Sequence, residues 1–206
     1  MTAIVDYGLG NLYSIANMLR HIGEESVITA DRADIKKADR LILPGVGKFD
    51  EGMGNLESTG LKDIIQEEAA SGKPVLGICL GMQLLGECSE EGKKEGLKLI
   101  DFKTVRFHFD HLQPQQMKIP HMGWEQVRFL SPNCSLTTGL HDKQRYYFVH
   151  SFHAVCKSSD TEIISCCYGY PFAAGVRYEN IYGVQFHPEK SHQYGMALLE
   201  NYVRNC

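Results

Sequence analysis

The chain has 206 residues, with 25 acidic and 21 basic side chains and a formal net charge of −4. That length fits a single α/β domain over residues 1–206, long enough to bury a full core. No basic run points to a nucleic acid, and no apolar stretch nears the roughly 18 residues of a membrane span, so neither partner is expected.

In chain order, Ala3-Ile4-Val5 reads as a short strand ending in the turn Asp6-Tyr7-Gly8-Leu9-Gly10. No basic n-region or apolar h-region precedes it, so no secretory leader is expected. Leu12, Ile15, Ala16, Leu19 and Ile22 then recur at helical spacing, with Gly23 as the stop. Ser26–Thr29 and Leu41–Leu43 are the next strand candidates, the latter cut by Pro44-Gly45-Val46-Gly47. A helix is predicted from about 55 to 71, with Leu56, Leu61, Ile64 and Ile65 apolar and Gly72 as its cap. Pro74–Ile78 is a fourth strand, and 80–87 a further helix. This alternation predicts a doubly wound, mostly parallel sheet flanked by helices. Ligands in such sheets gather beyond the carboxyl ends of the strands, so Asp6, Pro44 and Cys79 should share one rim.

From about residue 97 the texture changes. Runs such as Thr104–Phe107, Gln126–Phe129, Tyr146–Val149, Ile163–Cys166 and Ile181–Val184 are short, β-branched or aromatic, and separated by turn residues. They predict antiparallel β additions to the same core. A last helix is predicted near 192–204, with Tyr194, Leu198 and Tyr202 on one face.

Seven cysteines without regular spacing argue against a disulfide framework or a zinc site, and a reducing cytoplasm fits best. His108 and His111 stand at i, i+3 around Asp110, but further ligands are not clustered nearby. Solvated loop histidines are the better account, and no metal is expected.

The chemistry concentrates in two segments. Cys79 sits in Gly77-Ile78-Cys79-Leu80-Gly81, entered from a strand and followed by a helix. A nucleophile between glycines at such a turn is lifted out of the sheet. It also lies at a helix N-terminus, where partial positive charge favours an anion. A structural cysteine beside packing glycines would give the same pattern. Downstream, His187 and Glu189 are two apart around Pro188. On an extended segment they project to one side, so the carboxylate can orient the imidazole and the imidazole can act on the thiol. Gly45, Val46 and Gly47 follow a strand with unobstructed backbone N–H groups, which an oxyanion needs; a plain turn would look the same.

The order Pro-Gly-Val-Gly, Gly-Ile-Cys-Leu-Gly-Met-Gln, then Gln-Phe-His-Pro-Glu-Lys-Ser resembles the class I (triad-type) glutamine amidotransferases. Three more segments resemble the glutaminase subunits of imidazole glycerol phosphate synthase, in histidine biosynthesis: 5–12, Pro120-His121-Met122-Gly123-Trp124 and Tyr147-Phe148-Val149-His150-Ser151. The resemblance covers essentially the whole chain. It implies L-glutamine as substrate and a Cys79 nucleophile. His187 would be base and then acid, oriented by Glu189. Oxyanion donors would come from Leu80 N–H and the Gly45–Gly47 strand, which partners of this family rearrange. Substrate contacts would come from Gln83, from Glu91 (with Glu87 and Glu90 as rivals), and from the His150, Ser151 and Phe152 backbone. No cofactor is implied. Ammonia would pass to a (β/α)8-barrel cyclase subunit in a heterodimer, faced by Asn11, Trp124, Tyr147 and Lys190. The products there are imidazole glycerol phosphate and AICAR.

The chain departs from the family at Glu125 after the tryptophan, at Phe152 and His153 after His-Ser, and in the segment 107–116. None touches the triad, but they bear on the partner. A paralogous subunit feeding ammonia to a sugar-amidating enzyme of surface-polysaccharide synthesis, or a free-standing γ-glutamyl hydrolase, would carry the same triad.

Overall fold

The apolar runs of the first half form the strands their pattern predicts. The structure is a computed structural model that describes residues 1–109, 117–131 and 133–206. In it β1 (Thr2–Val5), β2 (Ser26–Thr29), β3 (Arg40–Leu43) and β4 (Val75–Ile78) lie parallel in the order β2-β1-β3-β4. Every residue of β1 and β4 is buried, as a strand covered on both faces requires.

The helices are α1 (Leu12–His21), α2 (Arg32–Lys37), α3 (Phe49–Ser58), α4 (Leu61–Ala70), α5 (Leu80–Leu84) and α6 (His192–Asn205). Alternation along the strands sorts the core into two layers. Ala3, Val5, Leu41 and Leu43 pack with Met53, Leu56, Leu61 and Ile64 of α3 and α4. Ile4, Ile42, Leu76 and Ile78 pack with Ile15 and Leu19 of α1 and Leu198 and Tyr202 of α6.

Three helices differ from expectation, α5 by stopping at Leu84 rather than running to 87. The helix predicted over 55–71 is two helices, because Gly60 takes the left-handed conformation (φ 70°) between them. The short α2 lacked a long apolar period. It starts because the Asp31 side chain accepts from the N–H groups of Ala33 and Asp34.

In the second half the sheet continues through β5 (Cys88–Ser89), β6 (Phe102–Arg106), β7 (His121–Phe129), β8 (Arg145–His150), β9 (Phe152–Cys156), β10 (Glu162–Tyr168), β11 (Tyr170–Tyr178) and β12 (Ile181–Val184). The order beyond β4 is β12-β11-β10-β7-β8, with β9 and then β6 and β5 branching from β11. Antiparallel pairing dominates these additions, as expected. One run behaves differently. β12 is antiparallel to β11 but parallel to β4, with Ile181 opposite Val75 and Val184 opposite Ile78. Asn180 seats its start by donating to the carbonyls of Ala69 and Lys73. β12 therefore ends on the same rim as β4, which decides the geometry of the site.

Among the described residues no helix is long and apolar enough to cross a membrane, and no group of His, Cys, Asp or Glu could hold a metal ion. Asp110 and His111 lie outside the described residues, with the rest of 110–116. All seven cysteines are free thiols.

Candidate active site

Cys79 follows β4 and caps α5 with φ 54° and ψ −109°, a conformation that a non-glycine residue holds only under constraint from its surroundings. The constraint is close packing. Its N–H donates to Val184 O at 2.8 Å. A Cβ on Gly81 would stand 1.8 Å from Leu43 O, and one on Gly77 would stand 2.7 Å from Gly81 O. Both glycines are needed for the turn to fold against its neighbours.

Phe186 and His187 run on from β12, which is how parallel pairing brings His187 beside Cys79. Glu189 reaches it from a 3-10 turn, Pro188–Lys190, rather than along the extended segment expected. His187 Nδ1 donates to Glu189 Oε1 at 2.8 Å, and Asn11 Nδ2 donates to the same oxygen at 3.0 Å. A carboxylate only accepts, so Nδ1 carries the hydrogen and Nε2 is left to act on the thiol. That Nε2 is buried with no hydrogen-bond partner among the described residues. Burial pulls the imidazole down, but the Cys79 sulfur and the Glu189 carboxylate outweigh it and hold His187 above its ordinary value. Burial likewise pushes Glu189 up, while the hydrogen bonds from His187 and Asn11 bring it below the usual carboxylate range.

A cavity of about 270 Å³ joins Cys79 and His187 to Val46, Gly47, Leu80, Gln83, Glu91, His150, Ser151 and Phe152. Of the three rival glutamates, only Glu91 lines it. Glu87 pairs with Lys157, and Glu90 accepts from Arg106 N–H. Glu91 also accepts the Phe49 N–H at the start of α3 at 2.8 Å, which fixes its carboxylate. The Pro44–Gly47 segment meets the Cys79 turn directly. Buried Tyr7 donates to Pro44 O at 2.5 Å, and the Leu80 N–H donates to Gly45 O at 3.3 Å. A larger groove of about 710 Å³ beside Trp124 and Arg145 contains none of these triad residues.

One residue of the Gln-Phe-His-Pro-Glu motif touches Cys79 although its type and place in the chain predict no role. Gln185 is fully buried and its Nε2 lies 3.7 Å from Cys79 Sγ. Its Oε1 accepts from Gln83 Nε2 at 2.9 Å, and Gln83 Nε2 also donates to Phe152 O at 3.3 Å. A glutamine next to a strand carries no local signal of such a contact. Asn11, expected to face a partner, is half-buried and committed to Glu189. Trp124, Tyr147 and Lys190 gather on one surface. Trp124 stacks on His192 at 5.4 Å, and Lys190 Nζ sits 5.5 Å over the Tyr147 ring.

Several curated relatives match at full length. The imidazole glycerol phosphate synthase subunit HisH 2 of Methanococcus maripaludis is 48% identical over 207 residues, covering 100% of both chains. The protein of the same name from Pseudomonas aeruginosa is 46% identical, covering 98% of each. Among solved structures, a putative GMP synthase subunit from Thermoplasma acidophilum superposes with a TM-score of 0.73 at 23% identity, covering 98% of this chain and 91% of that one. PurLQS from Thermotoga maritima gives a TM-score of 0.75 at 18% identity, covering 98% and 96%. Those two likenesses speak for the fold. The family model for glutamine amidotransferase class-I matches residues 3–206, and the chain belongs to that family of enzymes.

Proposed function

We propose that the chain is the glutaminase subunit of an imidazole glycerol phosphate synthase, a single domain over 1–206 that acts in the cytoplasm. The observation that carries the glutaminase reading is the seating of Cys79 after β4 and His187 just beyond β12 in one cavity, with Glu189 hydrogen-bonded to His187. The names of the full-length relatives support the synthase.

In this reading His187 Nε2 takes the Cys79 thiol proton as the sulfur attacks the carboxamide carbon of L-glutamine, a C–S bond forms, and the carbonyl electron pair moves to oxygen. Collapse breaks the C–N bond while His187 protonates the departing nitrogen, and ammonia leaves. Water, deprotonated by His187, then attacks the thioester, which releases glutamate and restores the thiol. Glu189, steadied by Asn11, orients His187 throughout. Gln185 gives the sulfur a fixed N–H donor. Its replacement by Leu removes one hydrogen bond to a charged group, and kcat/KM for glutamine should fall about 10- to 100-fold. An unchanged kcat/KM for glutamate release removes Gln185 from the mechanism.

Ammonia is passed to a (β/α)8 cyclase subunit bound as a heterodimer across the Trp124, Tyr147 and Lys190 face, where imidazole glycerol phosphate and AICAR are made. Tyr13 and Met122, 78% and 61% exposed, are further large apolar side chains on the surface. The partner also controls the rate. An oxyanion needs a free Leu80 N–H, yet that group is spent on Gly45 O, so the Gly45–Gly47 strand must turn before either can serve.

One oxyanion donor is worth about 10²- to 10³-fold in rate. Glutamate release by the chain alone should therefore be slow, and should rise by that factor when the cyclase partner and its ribonucleotide ligand are present. Rapid turnover by the isolated chain contradicts the device. No stimulation, with the chain folded and Cys79 reduced, turns the reading to the sugar-amidating paralogue or the free-standing hydrolase.

A further inference from the structure

Among the described residues, three histidines outside the proposed triad are buried: His121, His150 and His153. The first two form a chain. His121 Nδ1 lies 2.9 Å from His150 Nε2, and His150 Nδ1 lies 2.7 Å from Phe152 O. A carbonyl only accepts, so His150 Nδ1 carries a hydrogen. Neutral His150 then offers a lone pair at Nε2, and His121 Nδ1 must be the donor. The two hydrogens run from His121 on β7 to His150 on β8 and on to the Phe152 carbonyl. The pair is neutral at pH 7, because burial pulls His121 down to about 4 and His150 to about 3. The titratable groups facing it are Glu125 on β7, His153 on β9, Tyr168 on β10 and His187 beyond β12.

This chain leaves His121 Nε2 as a bare acceptor, buried and without a hydrogen-bond partner among the described residues. Glu125 Oε1, at 3.9 Å, is too distant and can donate nothing when ionised. A buried polar group left unpaired is a net cost to the fold. The same place is sandwiched between Tyr168, 3.9 Å away at 22°, and Phe148, 5.1 Å away at 24°. An apolar ring would fill it without that penalty, so packing alone does not account for a histidine. What the histidine adds is one N–H, delivered through His150 to the Phe152 carbonyl. That carbonyl also accepts from Gln83, and His150 and Phe152 line the cavity that holds Cys79.

We propose that His121 is a positioning residue for substrate binding: through His150 it fixes the Phe152 carbonyl and with it the wall of the glutamine cavity. This rests on the glutaminase reading for the identity of the ligand. It assigns no chemistry to His121, so the effect belongs to KM rather than kcat.

Two substitutions in the full complex separate positioning from packing. In His121→Asn the amide nitrogen takes the place of Nδ1 and still donates to His150. In His121→Leu no donor remains. Both lose the stacked ring. KM for glutamine should rise about tenfold in His121→Leu, the worth of one hydrogen bond, with kcat within about twofold. His121→Asn should keep KM within about threefold. Equal KM values in the two variants overturn the proposal. Should either variant fail to fold, ¹⁵N spectra of the histidine-labelled unchanged chain at pH 7 decide it. Hydrogens on Nδ1 of both His121 and His150 support the relay, and a hydrogen on Nε2 of His121 overturns it. Absence of glutamate release by the unchanged complex sinks the glutaminase reading instead, while the spectrum still reads the histidine pair.

Discussion

Replacing Cys79 with Ala should cut glutamate release by the liganded complex about 10⁴-fold or more. Removal of a covalent nucleophile eliminates a whole reaction path, and such losses reach about 10⁶ where the nucleophile works with a base. Nothing else in the cavity can take its place. The other six cysteines do not line it. In the proposed mechanism Cys79 and His187 act as one unit, so adding His187→Ala to Cys79→Ala should lose almost nothing further. The melting temperature should change little, since Ala accepts the same turn and leaves Gly77 and Gly81 to pack as before. Activity that survives the substitution excludes Cys79 as nucleophile, and with it both the synthase and the hydrolase readings.

Gly81→Ala should destabilise the chain by about 4 kcal/mol or more, and lower its melting temperature by roughly 10 °C. The added methyl would stand 1.8 Å from Leu43 O and 2.8 Å from its carbonyl carbon. Those atoms belong to the β3 backbone, which is hydrogen-bonded to β1 and β4 and cannot retreat as a flexible side chain could. Relief requires α5 to lift from the sheet, which would also carry Cys79 and Leu80 away from His187 and Gly45. Thermal unfolding measures the effect directly. Gly54→Ala is the control, since its methyl meets nothing nearer than Lys94 Cε at 3.7 Å. Equal melting temperatures for the two variants would show that the nucleophile turn is not held by backbone contact.

Much of this protein is legible along the chain because the relevant signals are local. The strand–helix alternation predicts the parallel half, and α1, β1 to β4 and α6 lie where apolar spacing and glycine stops place them. The elbow at Cys79 is announced by its flanking glycines, and His187 with Glu189 by their spacing around Pro188. What local signals do not carry is which strand lies beside which. β9 is separated from β8 only by Ser151, and β11 contains Pro171 and Gly175, so neither stands out. The seat of β12 beside β4 follows from packing and pairing over about a hundred residues of separation, and it alone makes a triad of Cys79 and His187. The same holds for Asn11 on Glu189, Gln185 on Cys79, Glu91 rather than Glu87 or Glu90 at the cavity, and His121 on His150. Residue type and spacing thus determined the layered fold and the glycine-flanked turn at Cys79, whereas tertiary pairing decided which polar groups meet. Hydrogen-bond partners are chosen by proximity in the folded chain, and that proximity has no period in the sequence.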